Sequence, residues 1–163
     1  MKVEYISPFI DASIQAMQDL VRVTPQRGKL SARPQVFTTQ QVSIVCGVTG
    51  DIEGQIMYGM SIISADKIAS VMLGSTVVTF DQVAATAIAD LGTRMAKNST
   101  ERLQEQGFNC QITPPTIVKG SNVKISTLEI PALVIPLDLP GIGEMEINLS
   151  IQDSARRASS EAA

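Results

Sequence analysis

The chain has 163 residues, of which 44% are apolar, 18% charged and 4% aromatic, with no tryptophan and no histidine. That length suits one ordinary domain rather than two, and the apolar share excludes disorder in favour of a core of Ile, Val, Leu, Met and Ala. The lack of histidine removes Ser-His-Asp catalysis, His-ligated metals, imidazole switches and His phosphorelay, and a net charge of −3 argues against nucleic acid as a partner.

Apolar residues at Phe9, Ile10, Ile14, Met17, Leu20 and Val21 follow helical spacing, so a first helix is expected from Pro8 to Val23, with Pro8 in its first turn and Pro25 closing it. Residues 26–39 are polar and contain Arg33-Pro34, which suits a hairpin or an irregular edge strand. Val42–Val48 and Glu53–Ser61 read as strands joined through Thr49-Gly50-Asp51, with Gly54 and Gly59 marking bulges or close packing. Ser64-Ala65-Asp66-Lys67 opens a short helix through Leu73, stopped by Gly74, and a long helix is expected from Phe80 to Gln106, ended by Gly107. Ile112-Thr113-Pro114-Pro115-Thr116 reads as a stiff extended connector. Two last strands are expected at Lys124–Leu137 and Glu144–Ile151, joined by Pro140-Gly141-Ile142-Gly143.

This order predicts an α/β (α+β) fold: a mainly antiparallel sheet with long helices packed on one face. Residues 1–152 form the expected single domain, and 153–163 a flexible polar tail. Cys46 and Cys110 lie far apart in apolar surroundings, as buried thiols acting as small hydrophobes do. No apolar leader and no run of about eighteen apolar residues occurs, so a cytoplasmic location is expected.

Phosphate-binding loops, nucleophile elbows, calcium loops and metal-ligand spacings are missing from the sequence. The long helix is different. At about 100° per residue, Ala84, Ile88, Leu91 and Met95 form one apolar stripe, while Asp90 and Thr93 fall together roughly 130–160° away. Taken alone, an Asp and a Thr on such a face are most simply a solvated surface.

Residues 1 to about 151 resemble the CheC/CheX/FliY family of chemotaxis phosphatases, most closely its CheX members. The resemblance rests on Met1-Lys2-Val3-Glu4-Tyr5-Ile6-Ser7-Pro8-Phe9-Ile10, on Gly47-Val48-Thr49-Gly50 with Gly54-Gln55-Ile56-Met57-Tyr58-Gly59-Met60-Ser61, on Ala87-Ile88-Ala89-Asp90-Leu91-Gly92, and on Ile112-Thr113-Pro114-Pro115-Thr116-Ile117 followed by Gly120. It implies a CheC-like domain that hydrolyses the aspartyl phosphate of the response regulator CheY, with Mg2+ supplied by the receiver and no cofactor of its own. It also implies a homodimer joined through sheets. The family signature is Glu-x-x-Asn on the long helix, where the acid pairs with the receiver's lysine and the amide orients the attacking water.

Here that signature reads Asp90-Leu91-Gly92-Thr93. Asp keeps the charge on a side chain about 1.5 Å shorter, and Thr replaces the amide by a hydroxyl that both donates and accepts. The same Asp/Glu-x-x-Thr/Asn pattern serves phosphatase-competent histidine kinases of the HisKA type, which have a different fold. A second departure is Lys97, where family members usually carry Gly one helical turn after the Asn. Its ammonium either crowds a partner, meets acidic groups of a receiver, or pairs with Glu101 at i+4. Asp90 and Thr93 are thus the candidate catalytic pair, with Lys97, Arg94 and Thr86 as candidate partner-binding residues. The alternative is a non-catalytic CheX-like scaffold that docks a receiver or a sibling subunit.

Overall fold

The computed structural model describes residues 3–34, 38, 40–125 and 130–154. Among these, α1 spans Val3–Ala16 and continues as a π-helical segment at Met17–Val21, followed by the short strands β1 (Gln26–Arg27) and β2 (Ser31–Arg33). The hairpin β3 (Val42–Gly50) and β4 (Ile52–Met60) leads into α2 (Ile62–Leu73) and the long α3 (Gln82–Glu105). Four strands complete the order: β5 (Cys110–Ile112), β6 (Thr116–Lys119), β7 (Ala132–Leu139) and β8 (Gly143–Asp153).

All strand pairs are antiparallel, in the order β1-β7-β8-β4-β3-β5, with β2 also on β7 and β6 also on β3. Alternation assigns one face to the core. Val42, Ile44, Cys46 and Val48 of β3, Ile56, Tyr58 and Met60 of β4, and Met145, Ile147, Leu149 and Ile151 of β8 are all buried in one cluster. Phe9 and Met17 from α1 and its extension, with Ile88, Leu91 and Met95 from α3, fill the same cluster. The helices therefore lie on one face of the sheet, as the element order predicts.

The first helix starts earlier than its expected first residue, Pro8. Tyr5, Phe9, Ala12 and Ala16 are buried at 0–2% exposure, so the apolar stripe begins a turn before the proline. Pro8 then falls in the second turn and leaves only the Glu4 carbonyl without its helical donor. Packing outweighs that loss: the Tyr5 ring meets Phe108 edge-on at 4.9 Å, and its hydroxyl donates to Asp153. The helical stretch ends before Pro25, at Arg22 in the left-handed region (φ 62).

Residues 26–33 form the irregular edge expected of them. Gln26↔Asp138 and Arg27↔Leu137 give way to Ser31↔Val134, so three residues, 28–30, face only Ile135 and Pro136, a bulge opposite a proline that has no N–H to give. The same device recurs on the far edge. There Val48↔Ile112 and Val45↔Thr116 leave Thr113-Pro114-Pro115 opposite two residues of β3. The connector expected at 112–116 is thus the kink between two short edge strands, neither of which was anticipated.

The strand expected from Lys124 begins instead at Ala132. Val123, next to Lys124, is tied to Thr38, donating to its hydroxyl and accepting from its backbone N–H at 2.9 and 3.0 Å. This pairs the start of that run with the segment before β3 rather than with β8; residues 126–129 lie outside the described residues. At the other end, Asp153 is still in β8 and the Ser154 N–H donates to the Asp51 carbonyl. Strand β8 and this bond thus continue past residue 152, while 155–163 lie outside the described residues.

Gly54 fixes the β4–β8 spacing. Its φ of 143° is in a region that side chains rarely adopt, and a Cβ there would stand 1.9 Å from the Ser150 carbonyl oxygen. Gly54→Ala is expected to cost at least about 3 kcal/mol of stability, measured by urea unfolding.

Candidate functional site

Helix α3 starts and stops where local chemistry requires. The Asp81 side chain accepts from the Ala84 N–H at 2.9 Å, capping the N-terminus. At the other end Gly107 takes φ 89, and the Phe108 N–H reaches back to the Leu103 carbonyl. Ala84, Ile88, Leu91, Met95 and Leu103 are fully buried, and each large side chain among them contributes about 1.5–3 kcal/mol. Arg102, half-buried, bonds Gln15 of α1 at 2.8 Å and ties the two helices together.

That buried stripe sets the opposite face. Thr86, Asp90, Thr93, Arg94 and Lys97 are all exposed. Asp90 and Thr93, at i and i+3, share one side of the helix. The Thr93 hydroxyl donates to the Ala89 carbonyl at 3.1 Å, so its proton is committed and its lone pairs point outward. Thr86 does the same toward Gln82 at 2.9 Å.

The charges divide unequally. Arg94 stands four residues after Asp90, the spacing for an intrahelical pair, yet its guanidinium lies 4.0 Å from Asp19 in the π-helical segment. Among the described residues no ion pair or hydrogen bond involves the Asp90 carboxylate, and the Lys97–Glu101 pair is not formed. An exposed carboxylate and an ammonium, neither with an internal partner among the described residues, thus flank a hydroxyl bonded only to its own helix backbone.

The sequence did not reveal what borders this face. Thr93, Lys97 and Thr100 form one wall of a groove of about 270 Å3, and Ile112, Thr113, Pro114 and Pro115 form the other. Thr113 is held in place through its Oγ1, which accepts from the Gly47 N–H at 2.8 Å, while its own N–H bonds the Gly47 carbonyl. The Pro-Pro pair was legible as stiff; its pairing with β3, which carries it to α3, was not.

Gly92 brings the parts together. A Cβ there would lie 2.7 Å from Ile44 Cγ2 and 3.1 Å from Pro115 Cβ, so the helix sits on β3 and the proline wall at a distance only glycine allows. Cys46, also under the helix, is buried, which pushes its thiol up to about 11 and suits a small core hydrophobe. Among the described residues no group of three or more metal-binding side chains occurs, and no helix is long and apolar enough to cross a membrane.

The sheet and helix arrangement is that of CheC-like proteins. The crystal structure of a chemotaxis protein CheX from Desulfovibrio desulfuricans superposes with a TM-score of 0.81 at 22% identity, covering 93% of this chain and 100% of the other. The CheX–CheY–BeF3–Mg2+ complex from Borrelia burgdorferi gives 0.79 at 30% identity, covering 93% and 100%. The CheY-P phosphatase CheX of Thermotoga maritima is 28% identical over 153 residues, 93% of this chain and 98% of its own. Residues 42–138 match the family of the chemotaxis phosphatase CheX, and the chain belongs to that family.

Gly92→Ala would ordinarily favour a helix by about 1 kcal/mol. Against the Ile44 methyl it is expected instead to cost about 1–3 kcal/mol, read by urea unfolding.

Proposed function

We propose that this chain is a phosphatase acting on the aspartyl phosphate of a CheY-like response regulator, which docks on the exposed face of α3. The observation that carries this reading is the pairing of an uncompensated Asp90 carboxylate with the outward lone pairs of Thr93 on one helix face. The activity in the name of the Thermotoga maritima relative and the CheY bound in the Borrelia burgdorferi complex support it.

An acyl phosphate already hydrolyses unaided, so a helper need only place water and complete the charge arrangement. Asp90 pairs with the receiver's lysine and fixes the docking register. Thr93, its proton held by Ala89, accepts a hydrogen bond from water and turns that water's free lone pair toward phosphorus. The water oxygen bonds to phosphorus as the phosphorus–oxygen bond to the receiver's carboxylate breaks. That carboxylate leaves with the electron pair, and both water protons end on phosphate or solvent. The Mg2+ in this step belongs to the receiver.

Thr93→Ala is expected to lower the assisted rate about a hundredfold, while stability stays within about 0.5 kcal/mol and receiver binding is unchanged. Asp90→Ala should weaken both binding and turnover, and Thr93→Asn should equal or exceed the parent. The measurement is loss of phosphate from a phosphorylated CheY-type receiver with each variant. Thr93→Ala as fast as the parent removes Thr93 from the mechanism. A parent that binds the receiver without speeding hydrolysis is a docking protein instead.

We also propose that the chain self-associates through a sheet edge, because β1/β2 and β5/β6 each leave an outer side unpaired among the described residues. Sedimentation equilibrium at micromolar concentration should give twice the chain mass; a monomer mass refutes this.

A further inference from the structure

Lys97 follows Thr93 by four residues on the same face of α3, and both side chains line the groove closed by Pro114 and Pro115. Side chains on a helix lean toward its N-terminus and cover the turn before their own Cα. The stem of Lys97, about 6 Å from Cα to ammonium, therefore lies over the turn that holds Thr93. Lys97 is exposed and makes no ion pair with Glu101 or any other described residue. Asp90, Thr93 and Lys97 accordingly form a line of carboxylate, hydroxyl and ammonium about 10 Å long, at 1.5 Å per residue.

We infer that Lys97 is a third catalytic residue, whose ammonium contacts the non-bridging oxygens of the receiver's phosphoryl group. The inference rests on the phosphatase reading above and deepens it. In that reading Asp90 takes hold of the receiver's lysine and so withdraws part of a positive charge from the phosphoryl oxygens. Negative charge on those oxygens must be balanced as the bond to phosphorus breaks, and Lys97 is the cation on this face that no internal carboxylate occupies. Arg94, the other nearby cation, is already turned toward Asp19. No atom is exchanged with Lys97, which stays protonated throughout while water attacks and the receiver's carboxylate leaves.

The test compares the parent with Lys97→Met and Lys97→Arg on a CheY-type receiver phosphorylated by acetyl phosphate and cleared of excess donor, with binding measured separately to the same receiver loaded with beryllofluoride and Mg2+. Lys97→Met is expected to lower the maximal rate about tenfold, with KM within about twofold, and Lys97→Arg to retain at least about half the parent rate. Raising ionic strength should slow the parent more than Lys97→Met. A Lys97→Met variant as fast as the parent, or one altered only in KM, overturns the catalytic role of Lys97 and leaves the phosphatase reading standing. A parent that binds the loaded receiver but does not speed hydrolysis overturns the phosphatase reading, and this role with it.

Discussion

The close seat of α3 on the sheet is the constraint from which the rest follows. At Gly92 the helix backbone approaches the Ile44 methyl and the Pro115 ring to distances that a Cβ would violate. That contact sets both the height and the rotation of the helix. With Leu91 and Met95 fully buried beside this point, the residues on the opposite side of the helix face solvent. Asp90, Thr93 and Lys97 are exposed because Gly92, Leu91 and Met95 are not.

The edges of the sheet serve the same end. Prolines stand at both bulges: Pro136 opposite residues 28–30, and Pro114-Pro115 opposite two residues of β3. A proline has no N–H to offer the ladder, so each edge breaks into two short strands rather than one long flat one, which limits unwanted pairing. On the β5/β6 side the break has a second effect. The residues pushed out of register are those that rise beside α3 and wall the groove at Thr93. A local defect of the edge thereby becomes part of the candidate site.

How much of this was legible follows from where each signal lives. Helix α3 was readable because its apolar stripe and its terminating glycine are local; its Asp81 cap was not read. The hairpin β3–β4 and strand β8 were readable because alternation along a strand needs no knowledge of its neighbours. Three features depend on contacts distant in sequence, and these were misread or missed. The start of α1 is decided by Tyr5 meeting Phe108 and Asp153. Val123, next to the head of the run expected to be one long strand, bonds Thr38 instead, and β6 exists because β3 accepts it. The candidate residues themselves were legible only through family resemblance, since an Asp and a Thr three apart on a helix are ordinary. What turns them into a site, the proline wall and the diversion of Arg94 to Asp19, is tertiary.

The departure from the family's Glu-x-x-Asn acquires a physical sense in this setting. An amide side chain offers both a donor and an acceptor, and it must be held in one orientation from outside. The Thr93 hydroxyl donates to the Ala89 carbonyl within the helix, and while that bond is made only its acceptor side faces an incoming water. A single acceptor fixes one O–H direction of that water, which is the minimum needed to aim a lone pair. Under the proposed reading Thr93 has no second hydrogen bond to give the phosphoryl oxygens, and on this face Lys97 is the group with donors to spare. Under the same reading the shorter Asp90 would bring the receiver closer by about one bond length, toward the face that also carries Lys97. Thr93 and Lys97 share one groove and Asp90 shares their helix face, which favours reading the three departures as one set rather than as three separate losses.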